Sequence, residues 1–221
     1  MAWLRLLFIV LIVRPLALIV TGVDVIGRER LPTRGPAIIA GNHNSHMDTL
    51  LLLALFPPRA LARVRPAAAA DYFLKDPALA WFARNIIGIV PVERAPQHLA
   101  TGQAVDVLAP AKAALAEGDI LVIFPEGTRG EAGHAHMAPM KSGVARLAQA
   151  CPEADVIPVW IQGAGRVLPK GAHMPVPMTC CVLVGEPIRW GGDREAFMAE
   201  LKAALDGLEA RAPPLRWRET D

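Results

Sequence analysis

Cysteine is scarce and poorly spaced for chemistry. The 221-residue chain has three, Cys151, Cys180 and Cys181. Two are adjacent, and no C-x-x-C spacing offers a zinc ligand set or a redox pair. A reduced, cytosolic setting is the simplest expectation. An excess of charge of one sign is missing too. Lys and Arg number 23 against 21 Asp and Glu, so the balance gives no case for nucleic-acid binding and any anion site must be local. There is no G-x-S-x-G elbow, no H-E-x-x-H, no Walker loop and no cysteine near a candidate base. Repeats and long linkers are absent, and the alanines at 67–70 are the one low-complexity tract, so a single α/β domain is expected. The chain also lacks the repeated long apolar spans of a polytopic membrane protein, although 53% of it is hydrophobic and its mean hydropathy is +0.33. One surface or end is therefore expected to meet lipid.

That end is the N-terminus, MAWLRLLFIVLIVRPLALIVTG. Its uncharged stretch from Leu6 to Val13 falls short of the roughly 20 apolar residues that cross a bilayer, and Arg14-Pro15 then interrupts it. No small-residue cleavage site follows, which disfavours a signal peptide. On an ideal helix Arg5 and Arg14 lie about 180° apart, so no clean amphipathic stripe results. The expectation is two short helical pieces broken near Arg14-Pro15, dipping into one leaflet with their arginines reaching toward phosphates. The alternative is a hydrophobic helix packed on the domain itself. Residues 1–22 are read as the membrane-associating segment and 23–221 as the domain.

From there strands and helices alternate. Pro36 to Ala40 suits a buried strand, and Thr49 to Phe56 a helix ending before Pro57-Pro58. Asp76-Pro77 opens a helix that stops near Gly88. Ala111 to Glu117 reads as a helix with Pro110 at its start or at a kink, and Gly143 to Ala150 as another. ILVIF after Asp119 and VIPVWI after Asp155 are strands apolar on both faces. Such strands between helices mean an α/β sheet covered on both sides, with sites in the loops at strand ends.

One such loop is NHNSHMD, Asn42 to Asp48. A strand-to-helix turn needs a cap and little else. Ser45 fits as the N-cap, with Asp48 three residues on as in a capping box. His43 is not explained by that. Inside one helix His43 and Asp48 would lie about 140° apart, so His43 must precede the helix for the two to meet. There Asp48 can accept from one ring nitrogen, fixing the tautomer, while the other faces a substrate. His46 has no comparable partner by spacing. Because no nucleophile accompanies this pair, the attacking group is expected to come from the substrate, its hydroxyl deprotonated by the histidine.

FPEGTRG, Phe124 to Gly130, starts where ILVIF ends. Pro125 stops the ladder, Gly127 permits a tight turn, and Glu126, Thr128 and Arg129 hang polar groups on it. Arg129 could hold a phosphate through two parallel hydrogen bonds. Arg94, closing GIVPVER, is a second phosphate candidate by its company.

Together these stretches resemble the glycerophospholipid acyltransferases. Four ordered blocks of that family can be read: NHNSHMD with its His-x4-Asp spacing, GIVPVER, FPEGTRG, and VIPV at Val156 to Val159. The likeness runs from about Gly27 to Pro187, specific in the first and third blocks and weak in the fourth. It implies an α/β acyltransferase fold with a mixed sheet flanked by helices, His43 and Asp48 as catalytic dyad, and Arg94, Glu126, Gly127, Thr128 and Arg129 at the acceptor site. The MKSG stretch resembles the lysine-containing sequence that follows the family's third block, which makes Lys141 a further, weaker anion-site candidate among the substrate-binding residues. The segment GEAGHAHMAP has no counterpart in that pattern. Its His134 and His136 read as loop residues, with no third ligand nearby for a metal.

The implied reaction moves a fatty acyl group from a thioester, on coenzyme A or an acyl carrier protein, to a lyso-phospholipid at a membrane surface. The expected location is the cytoplasmic face, and no metal or prosthetic group is required. Glycerol 3-phosphate or a lyso-aminolipid as acceptor, hydrolysis by water, and a non-catalytic lipid-binding role are the alternatives.

Overall fold

The computed structural model describes residues 2–70, 76–92, 106–127, 137–168, 174 and 176–214. Seven strands make one sheet: β1 Asp24–Ile26, β2 Ala37–Gly41, β3 Val64–Ala69, β4 Val90–Val92, β5 Ile120–Ile123, β6 Asp155–Gln162 and β7 Cys181–Val184. Their order is β1-β7-β6-β2-β5-β3-β4. All neighbours run parallel except β6 and β7, so the sheet is mixed, as expected. In the register Ala37 pairs with Ile120 and with Asp155, which aligns the C-terminal ends of β2, β5 and β6 along one edge.

Both faces of the sheet are covered, which is why β2 is buried at every position and β6 at all but its ends. One face carries α6 Ala109–Ala116, α7 Gly143–Ala150 and α9 Arg194–Arg211, packed on Ile38, Leu121 and Val156 through Leu115, Leu147 and Leu201. The other face carries α3 His46–Leu55 on Ile39, Val122 and Val159. Each such fully buried aliphatic side chain stabilises the fold by about 1.5–3 kcal/mol relative to exposure.

Helix α3 reads HMDTLLLLAL and has no polar stripe. A helix apolar on all sides must be covered on all sides. The sheet covers one side, and the N-terminal helix covers another. That helix runs as α1 Ala2–Phe8, a π-helical turn Ile9–Val13 and α2 Arg14–Thr21, ending at Gly22 in the left-handed conformation. The break expected at Arg14-Pro15 is absent: these stretches join in one apolar helix, Trp3–Thr21, of 19 residues, long enough by length and composition to cross a membrane, and a widened turn just before Pro15 accommodates its missing N–H. Ile9, Val13, Ala17 and Val20 are buried in the core shared with α3, so the segment expected to lie in lipid is partly a layer of the fold. The opposite face exposes Trp3, Leu7, Leu11, Leu16 and Ile19.

Arg5 corrects the expectation of arginines reaching outward. Arg5 is 4% exposed, and its guanidinium donates to the carbonyls of Leu61, Val64 and Ile87. Gly88, at φ +79, lets it pass, since a Cβ there would lie 2.8 Å from the guanidinium carbon. The alanines at 67–69 belong to β3, and the antiparallel β7 had not been anticipated. The remaining elements are a 3-10 turn Arg28–Arg30, α4 Pro58–Leu61, α5 Pro77–Phe82 with a π turn Ala83–Ile87 that stops at Gly88, and α8 Ala164–Val167.

Candidate active site

The NHNSHMD loop leaves β2 at the aligned strand edge and enters α3. Asn42 continues the sheet where the backbone stops. Its amide donates to the Ile161 carbonyl at 2.9 Å and its oxygen accepts from the Ile161 N–H at 2.6 Å, so a side chain replaces the next rung of the β2–β6 ladder. Ser45 is the N-cap, accepting from the Met47 N–H and donating to the Leu168 carbonyl at 2.9 Å. The capping box with Asp48 is present. Three of the polar residues therefore have structural duties.

Asp48 has two duties at once. It is fully buried, and its Oδ2 accepts from the backbone N–H groups of Asn44 and Ser45 at 2.7 Å each and meets His43 Nδ1 at 3.0 Å. An ionised carboxylate only accepts, so Nδ1 carries the proton and Nε2 presents its lone pair. The His43 ring lies flat on Phe124, with centroids 4.2 Å apart and planes 13° from parallel. Two walls thus hold the ring, the carboxylate at one edge and Phe124 at one face. Its side chain keeps 17% of its surface exposed. Asp48 Oδ1 is buried without a partner among the described residues.

Glu126 differs from its expected place as an acceptor-site group. It is 3% exposed, and its Oε1 accepts from the His43 N–H at 2.7 Å while Oε2 accepts from the Ala138 N–H at 2.9 Å. Both oxygens are spent on backbone, so the carboxylate fastens the His43 loop to the segment leading into α7. Burial pushes its carboxyl above the ordinary carboxylate range, against those two hydrogen bonds, which pull it down. Gly127 makes the tight turn expected of it, at φ +69 with its N–H donating to the Phe124 carbonyl at 3.0 Å. Lys141 folds over that turn, where a Cβ on Gly127 would come within 2.8 Å of its Nζ. The Lys141 N–H donates to the Pro125 carbonyl at 2.8 Å. His43, Asp48, Glu126, Gly127 and Lys141 therefore gather at one edge of the sheet. Arg94, Thr128, Arg129, His134 and His136 lie outside the described residues.

The sequence offered no sign of the Phe124 stack, because an aromatic closing a buried strand is ordinary core composition. Asn42 and Ala138 were equally silent, since a side chain completing a ladder or a backbone N–H holding a carboxylate has no spacing to read. The cysteines are all buried, and desolvation raises the Cys151 thiol to about 11 and that of Cys180 to about 12. None is suited to act as a nucleophile.

The chain is similar to known proteins in both fold and sequence. A solved structure of the 1-acyl-sn-glycerophosphate acyltransferase PlsC from Thermotoga maritima shares the fold, with a TM-score of 0.67 and 23% identity over 93% of this chain and 81% of that one. The chain is 28% identical over 151 residues to a chloroplastic 1-acyl-sn-glycerol-3-phosphate acyltransferase of Brassica napus, covering 68% of this chain and 40% of the relative. It is 30% identical over 204 residues to one from Chlamydomonas reinhardtii, covering 87% and 57%. It thus spans roughly two to three fifths of the length of these relatives. The model of the acyltransferase family matches residues 22–162, a range that holds the His43 loop, the Glu126 turn and Lys141, and the chain belongs to that family.

Proposed function

We propose that the protein acylates the free hydroxyl of 1-acyl-glycerol 3-phosphate, using an acyl thioester on coenzyme A or an acyl carrier protein and giving phosphatidic acid. The observation that carries this reading is the 3.0 Å contact between His43 Nδ1 and Asp48 Oδ2, which leaves the Nε2 lone pair available as a base. The names of the relatives supply the acceptor.

His43 Nε2 takes the proton of the acceptor hydroxyl as the oxygen attacks the thioester carbonyl. Asp48 stabilises the resulting imidazolium, and the C–S bond breaks as the tetrahedral intermediate collapses. The thiolate then receives the proton from Nε2, so the base is regenerated. Glu126 acts as a brace for the His43 loop. Arg129 and Arg94 hold the acceptor phosphate, with Lys141 over the neighbouring turn. Residues 23–221 form the catalytic domain, and the exposed apolar face of residues 1–22 lies against the cytoplasmic face of the membrane as a monotopic anchor.

The test mixes purified protein with labelled acyl thioester, alone and with a panel of lyso-lipids and glycerol 3-phosphate. Thiol release is expected only with acceptor, and 1-acyl-glycerol 3-phosphate is expected to give the labelled product. Steady thiol release without acceptor would mean a thioesterase. A stoichiometric burst that leaves acyl label on denatured protein would mean a covalent intermediate. Either result overturns the reading.

A further inference from the structure

Away from His43, a pocket of about 180 Å³ opens between the N-terminal helix, α4 and the π turn after α5. Arg5, Arg65, Arg84 and Asn85 supply its polar lining, and Leu6 and Leu61 its apolar wall. Its place in the sheet separates it from the reaction centre. Val64 begins β3 and pairs with Ile120, which pairs with Ala37 at the start of β2, whereas His43 follows the end of β2. At about 3.3 Å per residue, the length of β2 puts the two sites on opposite edges, some 13 Å or more apart.

The charges here do not balance. Arg5 is buried and, among the described residues, pairs with no carboxylate; backbone carbonyls bring only partial charge to it. Arg65 donates to Asp119 Oδ2 at 3.0 Å, and Arg63 meets Asp119 Oδ1 at 3.4 Å, so the nearby carboxylate is already shared. Arg84 is exposed and has no ion pair among the described residues. A buried cation without a counter-ion is costly, and one in a pocket with a second unpaired arginine invites an anion. Burial and the neighbouring Arg65 draw the Arg5 pKa down to about 10, while Asp119 pulls the other way.

The surroundings indicate what kind of anion. Trp81, one turn before Arg84, is 49% exposed. Exposed tryptophan beside arginine is the pairing that settles at the level of lipid headgroups, with rings toward the acyl boundary and guanidiniums toward phosphate. Arginine's planar donors match phosphate oxygens in pairs.

We propose that this pocket binds a phosphate group through Arg84, Arg65 and Asn85 beside the buried Arg5, carried by an anionic phospholipid headgroup or by a soluble phosphate ester, and separate from the acceptor site. The test uses the full chain and no acyl transfer, so its failure is distinct from failure of the proposed reaction. Wild type, Arg84→Gln, Arg84→Lys and Arg59→Gln are sedimented with phosphatidylcholine vesicles, with and without phosphatidylglycerol. Phosphatidylglycerol should strengthen binding of the wild type. Arg84→Gln should lose about fivefold of that gain. Arg84→Lys should keep most of it, and Arg59→Gln, which alters an exposed arginine outside the pocket, should keep it. In a second arm thermal unfolding is followed without lipid, in inorganic phosphate and in chloride at equal ionic strength. Phosphate stabilising the wild type more than Arg84→Gln marks a soluble phosphate as an occupant; dependence on phosphatidylglycerol alone marks the headgroup. Equal behaviour of Arg84→Gln and wild type in both arms overturns the proposal. So does an equal loss in Arg59→Gln, which would mean a diffuse basic surface.

Discussion

Asp48→Asn separates the two duties that one carboxylate performs. Oδ2 accepts three hydrogen bonds, two from backbone at 2.7 Å and one from His43 at 3.0 Å, and Oδ1 is buried without a partner among the described residues. The amide oxygen of asparagine can take the place of Oδ2. The three bonds then lose their ionic assistance, about 1 kcal/mol each, and the new NH₂ group falls where no acceptor waits, a further cost of about 1–3 kcal/mol. Removing a buried charge returns part of this, so a net loss of about 2 kcal/mol is expected. For a chain of this length that lowers the melting temperature by about 4–8 °C. Turnover should fall far more, by about a hundredfold to ten-thousandfold, because the imidazolium loses its counter-charge. The comparison is Ser45→Ala, which removes the cap and about 1 kcal/mol of stability but leaves His43 with its carboxylate. Melting curves and turnover are measured for both proteins. If Asp48→Asn loses stability and keeps wild-type turnover, the residue is a cap alone and the base is misassigned.

His43→Ala should fold normally and lose about a hundredfold to ten-thousandfold in turnover, since a partly exposed loop ring contributes little to the core. Glu126→Gln places an amide NH₂ against a backbone N–H, so turnover should fall with about 1–3 kcal/mol of stability. The raised pKa of Glu126 means that the native state binds this proton more readily than the unfolded chain. Its contribution to stability should therefore decline as pH rises through the folded-state pKa, and pH-dependent unfolding should show that slope in wild type and not in Glu126→Gln. Gly127→Ala forces a Cβ into a left-handed turn and against Lys141 Nζ; it should cost about 1 kcal/mol and raise the KM for the acceptor, measured by steady-state kinetics. Leu11→Glu with Ile19→Glu, both on the outward face, should weaken vesicle sedimentation while leaving the melting temperature unchanged.

What could be read from the sequence follows from which interactions have a spacing. The β2 and β6 strands were legible as apolar runs, because parallel strands covered on both faces have no polar alternation. Gly88 and Ser45 marked helix ends, since only a left-handed glycine and a side-chain cap satisfy those backbone groups cheaply. The His43–Asp48 pair was legible because excluding both from one helix forces the histidine before the cap. Glu126 was visible as a residue, but its role was hidden: a carboxylate on a turn can face solvent or turn inward, and only the approach of the Ala138 segment decides. β3 was missed because alanine has low β-propensity. Neighbouring β5 and β4 override that preference here.

The N-terminal segment shows why the residues alone leave a membrane reading and a core reading both open. Apolar residues on every side of a helix can mean lipid or protein, and hydropathy alone does not distinguish the two. The deciding residues are in α3. Leu51 to Leu55 are buried in succession, so no side of that helix can face water, and residues 2–21 supply part of its cover. Deleting the segment would strip Ile9, Val13, Ala17 and Val20 from the core at about 1.5 kcal/mol or more for each larger side chain, and would expose α3 besides. Loss of vesicle binding on such a deletion would therefore report unfolding as much as release. The outward substitutions at Leu11 and Ile19 avoid this, because neither side chain touches the buried face. If those proteins melt as wild type and still sediment fully with vesicles, the exposed face of this helix is not the anchor.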